Sequence, residues 1–364
     1  MNLYPFADYA KKETERVKNE LPKKGKGALR FAFIADLHYK YNDEMRVSVS
    51  NIVHAVNELN KSEKIDFFCL GGDNVGNYPA SREEHLDMMR ELASLLSQCD
   101  VPVIFVQGNH DENSIHGRIA PDSNVCHSGF EVRDKEQYDI MFSLAEKSPL
   151  YHVGGKDALY GYFDAPHTNT RVIFLNSSDV PYIVENGILI YNQQWYFGYR
   201  EEQLSWLCDT ALKDAPDNVI FIQHLPFDMY HPEEEDIIYN RDVVNDITKA
   251  FVRGGSGRFV NAHEDFGYCL SADFGGKPHR VFRIGGHCHR DFTCVDEIGL
   301  LSVTTMLAGR KCSGMNKPGD DGVVYDREPF TVTETSMDIF TIDPEENLLT
   351  ANRYGCGRNR KSNV

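Results

Sequence analysis

Metal-binding side chains follow apolar, strand-like runs at five places along the chain. In chain order, the five clusters are Asp36-Leu37-His38, Gly72-Asp73-Asn74, Gly108-Asn109-His110-Asp111, His224-Leu225-Pro226 and Gly286-His287-Cys288-His289. Their carboxylate, imidazole and amide groups are ligands that suit Zn, Mn or Fe. The glycines beside them allow sharp turns and a close approach of the backbone to a ligand. We therefore expect a metal site assembled from distant parts of the chain.

The number of ligands indicates two metal ions rather than one. Seven residues are candidates, namely Asp36, His38, Asp73, Asn109, His224, His287 and His289. With Asp73 as a bridge, each of two ions receives four protein ligands and keeps room for water or substrate. Two ions about 3.5–4 Å apart can hold a bridging hydroxide as the nucleophile and bind phosphoryl oxygens for in-line attack.

His110 is the candidate for a general acid. An ester attacked in this way releases an alkoxide that needs a proton, and imidazole titrates near neutral pH. Asp111 is the next residue in the chain. We therefore expect its carboxylate to orient the imidazole or to raise the pKa of His110.

Alternating strands and helices must bring the five clusters together. Short apolar runs predict a strand before each cluster, and the spacing of apolar residues predicts helices at 49–59, 83–96 and 201–212. This alternation is typical of parallel strands covered by helices. The carboxyl ends of such strands open onto one crevice. The clusters are therefore expected to meet there, although they are far apart in sequence.

The remaining segments complete the predicted domain organisation. Residues 1–28 form a polar, helical lead-in, and residues 29–364 form the main domain. Within that domain, residues 112–158 have a less regular pattern and are predicted to be an insertion or cap. From residue 292 onward, short strands alternate with turns, which predicts an antiparallel second sheet.

The five motifs, in this order, resemble those of the calcineurin-like metallophosphoesterase superfamily, and the match runs from about Asp36 to His289. The resemblance implies a mixed α/β fold, a four-layer αββα sandwich of two mixed sheets flanked by helices. It also implies a ligand set for each metal: Asp36, His38, Asp73 and His289 for one, and Asp73, Asn109, His224 and His287 for the other. His110 takes the role of acid or of a group that orients the substrate. The chain departs from many members after Gly72-Asp73, where an apolar residue and later an acid are replaced by Asn74-Val75-Gly76-Asn77.

Composition and charge narrow the range of partners. The chain has 364 residues, 41% of them hydrophobic, and 38 Lys and Arg residues against 55 Asp and Glu, for a net charge of −17. Such an acidic protein repels polyanions, so we expect no nucleic-acid partner.

No apolar run approaches the roughly 18–20 residues of a membrane helix, and the polar N-terminus lacks a secretory apolar core. With nine scattered cysteines and no CxxC pair, we expect a soluble cytoplasmic protein.

Several polar residues are candidates for contact with a substrate. Asn74 lies beside a predicted ligand, and the Arg118 guanidinium suits a phosphate group, although a solvated loop explains Arg118 as well. Asn176 ends a strand, where it can line the crevice or serve a local turn. The aromatic stretch 191–199 is predicted to pack rather than to stack on a base. Arg310 and Lys311 can approach a phosphate or cap a strand.

The sequence favours a metal-dependent phosphoesterase that acts on a small phosphomonoester or phosphodiester. A non-catalytic binding scaffold with the same fold is the first alternative, but it predicts eroded ligands, and none of the seven is missing. A nuclease acting on DNA ends is the second alternative. The negative charge and the lack of a basic stripe disfavour it.

Overall fold

The computed structural model describes residues 1–76, 81–227, 237–295, 299–309 and 317–363. Asn77, Arg310 and Lys311 lie outside these residues. No helix in the described ranges is both long enough and apolar enough to cross a membrane.

Six α-helices occur in the described part of the chain. They are α1 (Asp8–Glu20), α2 (Asp43–Glu63), α3 (Arg82–Leu96), α4 (Asp134–Ile140), α5 (Glu201–Trp206), which continues into a π-helical turn at Leu207–Ala211, and α6 (Arg241–Val252). Local capping sets the start of the two longest. The Asn42 side chain accepts the Met45 N–H before α2. Ser81 and Glu84 form a reciprocal capping box before α3.

The strands are mostly short and lie throughout the chain. In chain order they are β1 (Leu29–Ile34), β2 (Phe67–Gly71), β3 (Val103–Val106), β4 (Cys126–His127), β5 (Tyr151–Val153), β6 (Gly161–Asp164), β7 (Thr170–Phe174), β8 (Val184–Glu185), β9 (Ile188–Leu189), β10 (Tyr196–Gly198), β11 (Asn218–Ile222), β12 (Ile237–Tyr239), β13 (Ser256–Asn261), β14 (Tyr268–Asp273), β15 (Arg280–Gly285), β16 (Phe292–Val295), β17 (Leu301–Thr304), β18 (Ser336–Asp343), β19 (Leu348–Gly355) and β20 (Arg360–Asn363).

Two mixed sheets form the centre of the molecule. The first has the strand order β20-β19-β18-β1-β2-β3, and the second has the order β16-β17-β15-β11-β7-β6-β5. A hydrophobic core between them includes Phe31, Phe67, Phe174 and Ile220. Helices α1 to α3 cover the outer face of the first sheet, and α5 and α6 cover that of the second. The predicted mixed α/β fold, an αββα sandwich, is confirmed.

The C-terminal strands pair antiparallel with one another, as β18 does with β19 and β19 with β20. The prediction that they make a second sheet of their own is wrong. β18, β19 and β20 join the first sheet, where β18 runs antiparallel to β1. β17 joins the second sheet parallel to β15. β1 is buried on both faces, and the C-terminal strands pair with the edge that it would otherwise expose. Alternation of apolar residues reports which face of a strand is buried, but it does not report which edge the strand joins.

The segment at 112–158 contributes to the main body at its C-terminal end. Phe142 packs into the helical side of the first sheet. β5 pairs with β6 at the edge of the second sheet. The N-terminal helix α1 packs on the helical side of the first sheet, because Ala10 and Val17 join the cluster that contains α2. The domain boundaries at residues 28, 112 and 158 stay predictions.

Candidate metal centre

The five polar clusters lie in the loops that follow five parallel strands. Asp36 follows β1, Asp73 follows β2, and Asn109 follows β3. In the second sheet, His224 follows β11 and His287 follows β15. Backbone hydrogen bonds join neighbouring loops: Asp36 N–H to Gly72 O at 2.9 Å, His38 N–H to Asp73 O at 2.8 Å, and Gly286 N–H to His224 O at 2.9 Å. The carboxyl ends of both sheets therefore meet at one place, as the strand pattern predicts.

Most of the candidate ligands have a strained backbone. Five of the seven adopt left-handed conformations, namely Asp36 (φ 55°), His38 (φ 46°), Asp73 (φ 52°), His287 (φ 67°) and His289 (φ 55°). Such conformations cost free energy in residues other than glycine, and they cluster at functional sites. Gly108 cannot be replaced by a residue with a side chain, because a Cβ there would overlap Asp73.

The first ligand group contains Asp36, His38, Asp73 and His289. One ligand atom from each of the four lies within 4.8 Å of every other. His289 Nε2 lies 3.3 Å from Asp36 Oδ1 and 3.3 Å from His38 Nε2. His38 Nε2 lies 3.8 Å from Asp73 Oδ2. These four side chains therefore present their donor atoms to one small volume.

The second group contains Asp73, Asn109, His224 and His287. Asn109 Oδ1 lies 3.1 Å from His224 Nε2 and 3.2 Å from His287 Nδ1. The two ring nitrogens are 3.3 Å apart, and His224 Nε2 lies 3.4 Å from Asp73 Oδ1. The two oxygens of Asp73 therefore face different groups, Oδ2 toward His38 and Oδ1 toward His224. A carboxylate in this position can contact a cation in either group.

The hydrogen bonds around these groups fit cation ligands. His224 Nδ1 donates to the Gly71 carbonyl at 3.0 Å, so its Nε2 is the atom left to face Asn109 and Asp73. Partners of this kind fix the tautomer and ring orientation of histidines that bind metals. The His287 backbone N–H donates to both Asp36 carboxylate oxygens at 3.2 and 3.0 Å. The donor set of carboxylates, imidazoles and an amide suits Mn, Zn or Fe.

Burial and close charges govern titration within the cluster. Burial lowers the pKa of His38 to about 3, although the negative charge of Asp73 acts to raise that pKa. Burial would raise the pKa of Asp73, but the histidines around it, His224 and His110 first, hold that pKa well below its usual range. The Asp73 carboxylate therefore stays ionised among the imidazole nitrogens, and an ionised carboxylate in this position favours a cation.

His110 lies against the Asp73 carboxylate, where the predicted acid was expected. Its backbone N–H donates to Asp73 Oδ1 at 2.9 Å, and its Nε2 lies 3.9 Å from Asp73 Oδ2. The ring meets the His38 ring edge-on at a centroid distance of 5.0 Å. Burial lowers the pKa of His110. Its Nδ1 has no hydrogen-bond partner among the described residues.

The expected contact of Asp111 with the His110 ring is wrong. The Asp111 carboxylate instead accepts the backbone N–H groups of Asn74, Val75 and Gly108 at 2.8–3.0 Å and the Asn74 side-chain amide at 2.8 Å. Burial, with the Asp73 charge, raises the pKa of Asp111 to about 7, while these four donors favour the ionised form. Asp111 therefore ties the loop after β3 to the loop after β2.

Two of the three predicted substrate contacts are buried structural residues. Asn74 is 1% exposed, and its amide donates to Val106 O and to Asp111. Asn176 is 3% exposed, and its amide donates to Gln107 Oε1. Both side-chain amides donate to the end of β3 or to the loop after it, so neither lines an open surface. Asparagines at strand ends can contact a substrate or hydrogen-bond to a loop, and the sequence does not distinguish these two roles.

Arg118 is the predicted contact that stays near the surface. Its guanidinium lies over the Trp195 ring at 4.9 Å from the centroid, and its Nε donates to Ser123 O. The residue before Trp195 contacts the centre, because Gln194 O accepts from Asn109 Nδ2 at 3.3 Å. Arg118 and Trp195 therefore form a stacked pair close to the ligands.

The segment 191–199 contacts the centre, which its sequence does not indicate. Phe197 is buried, and its ring meets the His287 ring edge-on at 5.3 Å. The prediction that this aromatic stretch packs is confirmed, but its partner is a candidate ligand. The stretch has no motif that points to the centre. The only signal in the sequence is its density of aromatic residues.

Comparison with known proteins agrees with this geometry. The sequence model of the calcineurin-like phosphoesterases matches residues 29–264. The chain belongs to the calcineurin-like phosphoesterase family. The matched range includes β1, β2, β3 and β11, and therefore the loops that carry Asp36, Asp73, Asn109 and His224.

Two relatives illustrate the likeness of this calcineurin-like phosphoesterase to known proteins. A serine/threonine-protein phosphatase, CPPED1 of Danio rerio, is 27% identical over 256 residues, which is 68% of this chain and 64% of the relative. The match thus spans less than two thirds of the relative. The crystal structure of a dimetal phosphatase from Danio rerio aligns with a TM-score of 0.55 at 17% identity, over 92% of this chain and 98% of that one. This second likeness shows the fold.

Proposed function

We propose that this chain is a dinuclear metal-dependent phosphoesterase. The observation that carries the proposal is the position of Asp73, whose two carboxylate oxygens face two different groups of candidate ligands. Asp36, His38 and His289 complete the first group, and Asn109, His224 and His287 complete the second. Mn, Zn or Fe ions fit both groups.

The chain's own residues have separate tasks in the proposed reaction. Two bound cations would supply a nucleophile at neutral pH and positive charge for the phosphoryl oxygens. His110, beside Asp73, donates a proton or a hydrogen bond to an oxygen of the substrate. The Arg118 guanidinium, stacked on Trp195, contacts the phosphate group at the edge of the centre. Asp111 holds the loop that carries His110.

The substrate in this proposal is a phosphate ester of modest size. The likeness to a serine/threonine-protein phosphatase of Danio rerio favours a phosphomonoester over a phosphodiester. The net charge of −17 disfavours nucleic acid as a partner. The nine cysteines are scattered along the chain without a CxxC pair, which suits the cytoplasmic location that we propose.

A chromogenic assay tests the proposal. The protein is stripped of metal with a chelator and then assayed with Mn or Zn on a nitrophenyl phosphate and a bis-nitrophenyl phosphate. We expect the metals to restore turnover, with the monoester preferred. Asp73→Asn is expected to lower kcat/KM by more than about 100-fold, beyond the range typical of residues that only support a ligand. Asp122→Asn, an exposed aspartate, is the matched control. Failure of every divalent metal to restore turnover on either ester would contradict the proposal.

A further inference from the structure

The orientation of the Asn109 amide decides which of its atoms can face a cation. Its Nδ2 donates to the Gln194 carbonyl at 3.3 Å. Its Oδ1 then points to His224 Nε2 at 3.1 Å and to His287 Nδ1 at 3.2 Å. An amide turned by half a rotation would present N–H groups there, which repel a cation. The Gln194 carbonyl therefore keeps the Asn109 oxygen directed at the second ligand group.

Two hydrogen bonds to the neighbouring residue hold the Gln194 carbonyl in place. The Gln193 side-chain oxygen accepts from Gln107 Nε2 at 2.5 Å. The Gln193 backbone N–H donates to Glu112 Oε2 at 3.0 Å. Gln107 directly follows β3, two residues before Asn109. The end of β3 thus positions two groups. It positions Asn109 through the backbone, and it positions the Gln194 carbonyl through the side chain of Gln107.

These contacts continue into the second sheet. Gln107 Oε1 accepts from Asn176 Nδ2 at 2.7 Å. The Asn176 backbone N–H donates to Gln203 Oε1 at 2.8 Å, and its carbonyl accepts from Gln203 Nε2 at 2.9 Å. We call Gln107, Asn176, Gln193 and Gln203 the amide network. None of the four is more than 5% exposed, so a broken bond in the network leaves a buried polar group without a partner.

We propose that the amide network positions one of the two cation sites. It fixes the Gln194 carbonyl, and through it the Asn109 oxygen, and so sets the affinity of the site formed by Asp73, Asn109, His224 and His287. In the described part of the chain, no hydrogen bond joins the network to the site formed by Asp36, His38, Asp73 and His289, so that site keeps its affinity. The inference rests on the proposed function, because it requires two cations.

Metal titrations of two variants test this inference. Gln107→Leu and Gln193→Met break the same hydrogen bond from opposite ends with side chains of similar size. Apo protein is titrated with Mn²⁺ by calorimetry, and electron paramagnetic resonance separates isolated Mn²⁺ from magnetically coupled pairs. We expect the first Mn²⁺ to bind as in the wild type and the second to bind about 10- to 100-fold more weakly. The coupled signal should then appear only at higher Mn²⁺ concentration.

The control variant is Gln137→Leu, which removes an equally buried amide that donates to Val132 O. It is expected to bind both ions as the wild type does. Unchanged affinity for both ions in the two network variants would overturn the inference, and so would equal weakening of both ions. Loss of the folded state in chelator by both variants would show a purely structural network and would overturn it too. A wild type that never shows a coupled pair would instead contradict the proposed function.

Discussion

A single carboxylate, Asp111, holds together the two loops that carry Asp73 and Asn109. It accepts four N–H groups from Asn74, Val75 and Gly108. In Asp111→Asn an NH₂ group would face some of these donors, so we expect a loss of about 1–3 kcal/mol in the free energy of unfolding. Urea unfolding in chelator measures it. Asp122→Asn should leave the midpoint unchanged, and a change of similar size in both variants would contradict this role.

His85 on α3 supports the same loop from behind and makes the stability depend on pH. Its Nε2 donates to the Asp111 carbonyl at 2.9 Å, and burial lowers its pKa to about 4. An unfolded histidine titrates near 6.5. The unfolded state therefore binds the extra proton first as the pH falls from 6.5 to 4, and stability is lost over that range.

A comparison of two pH values isolates this contribution. Between pH 7 and pH 5, the wild type in chelator should lose about 1–2 kcal/mol more of its free energy of unfolding than His85→Gln does. Denaturant unfolding at each pH gives the numbers. His127→Gln, at an exposed position, should keep the wild-type pH dependence. An equal loss of the free energy of unfolding in wild type and His85→Gln would show that His85 does not titrate in this way.

The C-terminal strands anchor the loop that carries His287 and His289. Arg353 on β19 donates to Asp291, two residues beyond His289, at 2.8 and 3.0 Å, and to Asp338 on β18 at 2.8 Å. Arg360 on β20 pairs with the same two carboxylates. Arg353 is 1% exposed, so Arg353→Met would leave two buried carboxylates sharing one arginine. We expect a loss of about 3–5 kcal/mol.

Urea unfolding checks this expectation against a surface pair. Arg90 and Asp87 lie 2.7 Å apart on α3, and both side chains are more than half exposed. Arg90→Met should therefore cost less than about 1 kcal/mol. A cost for Arg353→Met as small as that for Arg90→Met would show that the C-terminal strands do not anchor the loop.

The strands and helices were predictable where the periodicity was strong. β1, α2 and α3 lie where the apolar pattern placed them, because each helix buries one face in a continuous core and β1 buries both of its faces. The hairpin of β13 and β14 was not predicted. Its residues alternate between exposed and half-buried positions, and of its side chains only that of Leu270 is buried, so its hydrophobic contrast is weak.

At the scale of the whole molecule, the fold brings together the candidate ligands that the order of the motifs identifies in the sequence. The seven candidate ligands meet because two sheets place the carboxyl ends of their parallel strands at one edge, and strand pattern and motif order both report this. Asn74 and Asn176 were misassigned for a different reason. Whether a polar residue at a strand end faces the crevice or a neighbouring loop depends on contacts with Asp111 and Gln107, and these contacts arise only after the loops pack.

The metal content of the protein tests the central claim most directly. After equilibration with Mn²⁺ and removal of loosely held ions, elemental analysis gives the number of ions per chain. The two ligand groups around Asp73 predict two ions in the wild type and fewer in Asp73→Ala, because that variant removes a ligand from both groups at once. One ion or none in the wild type, or an undiminished count in Asp73→Ala, would contradict the account.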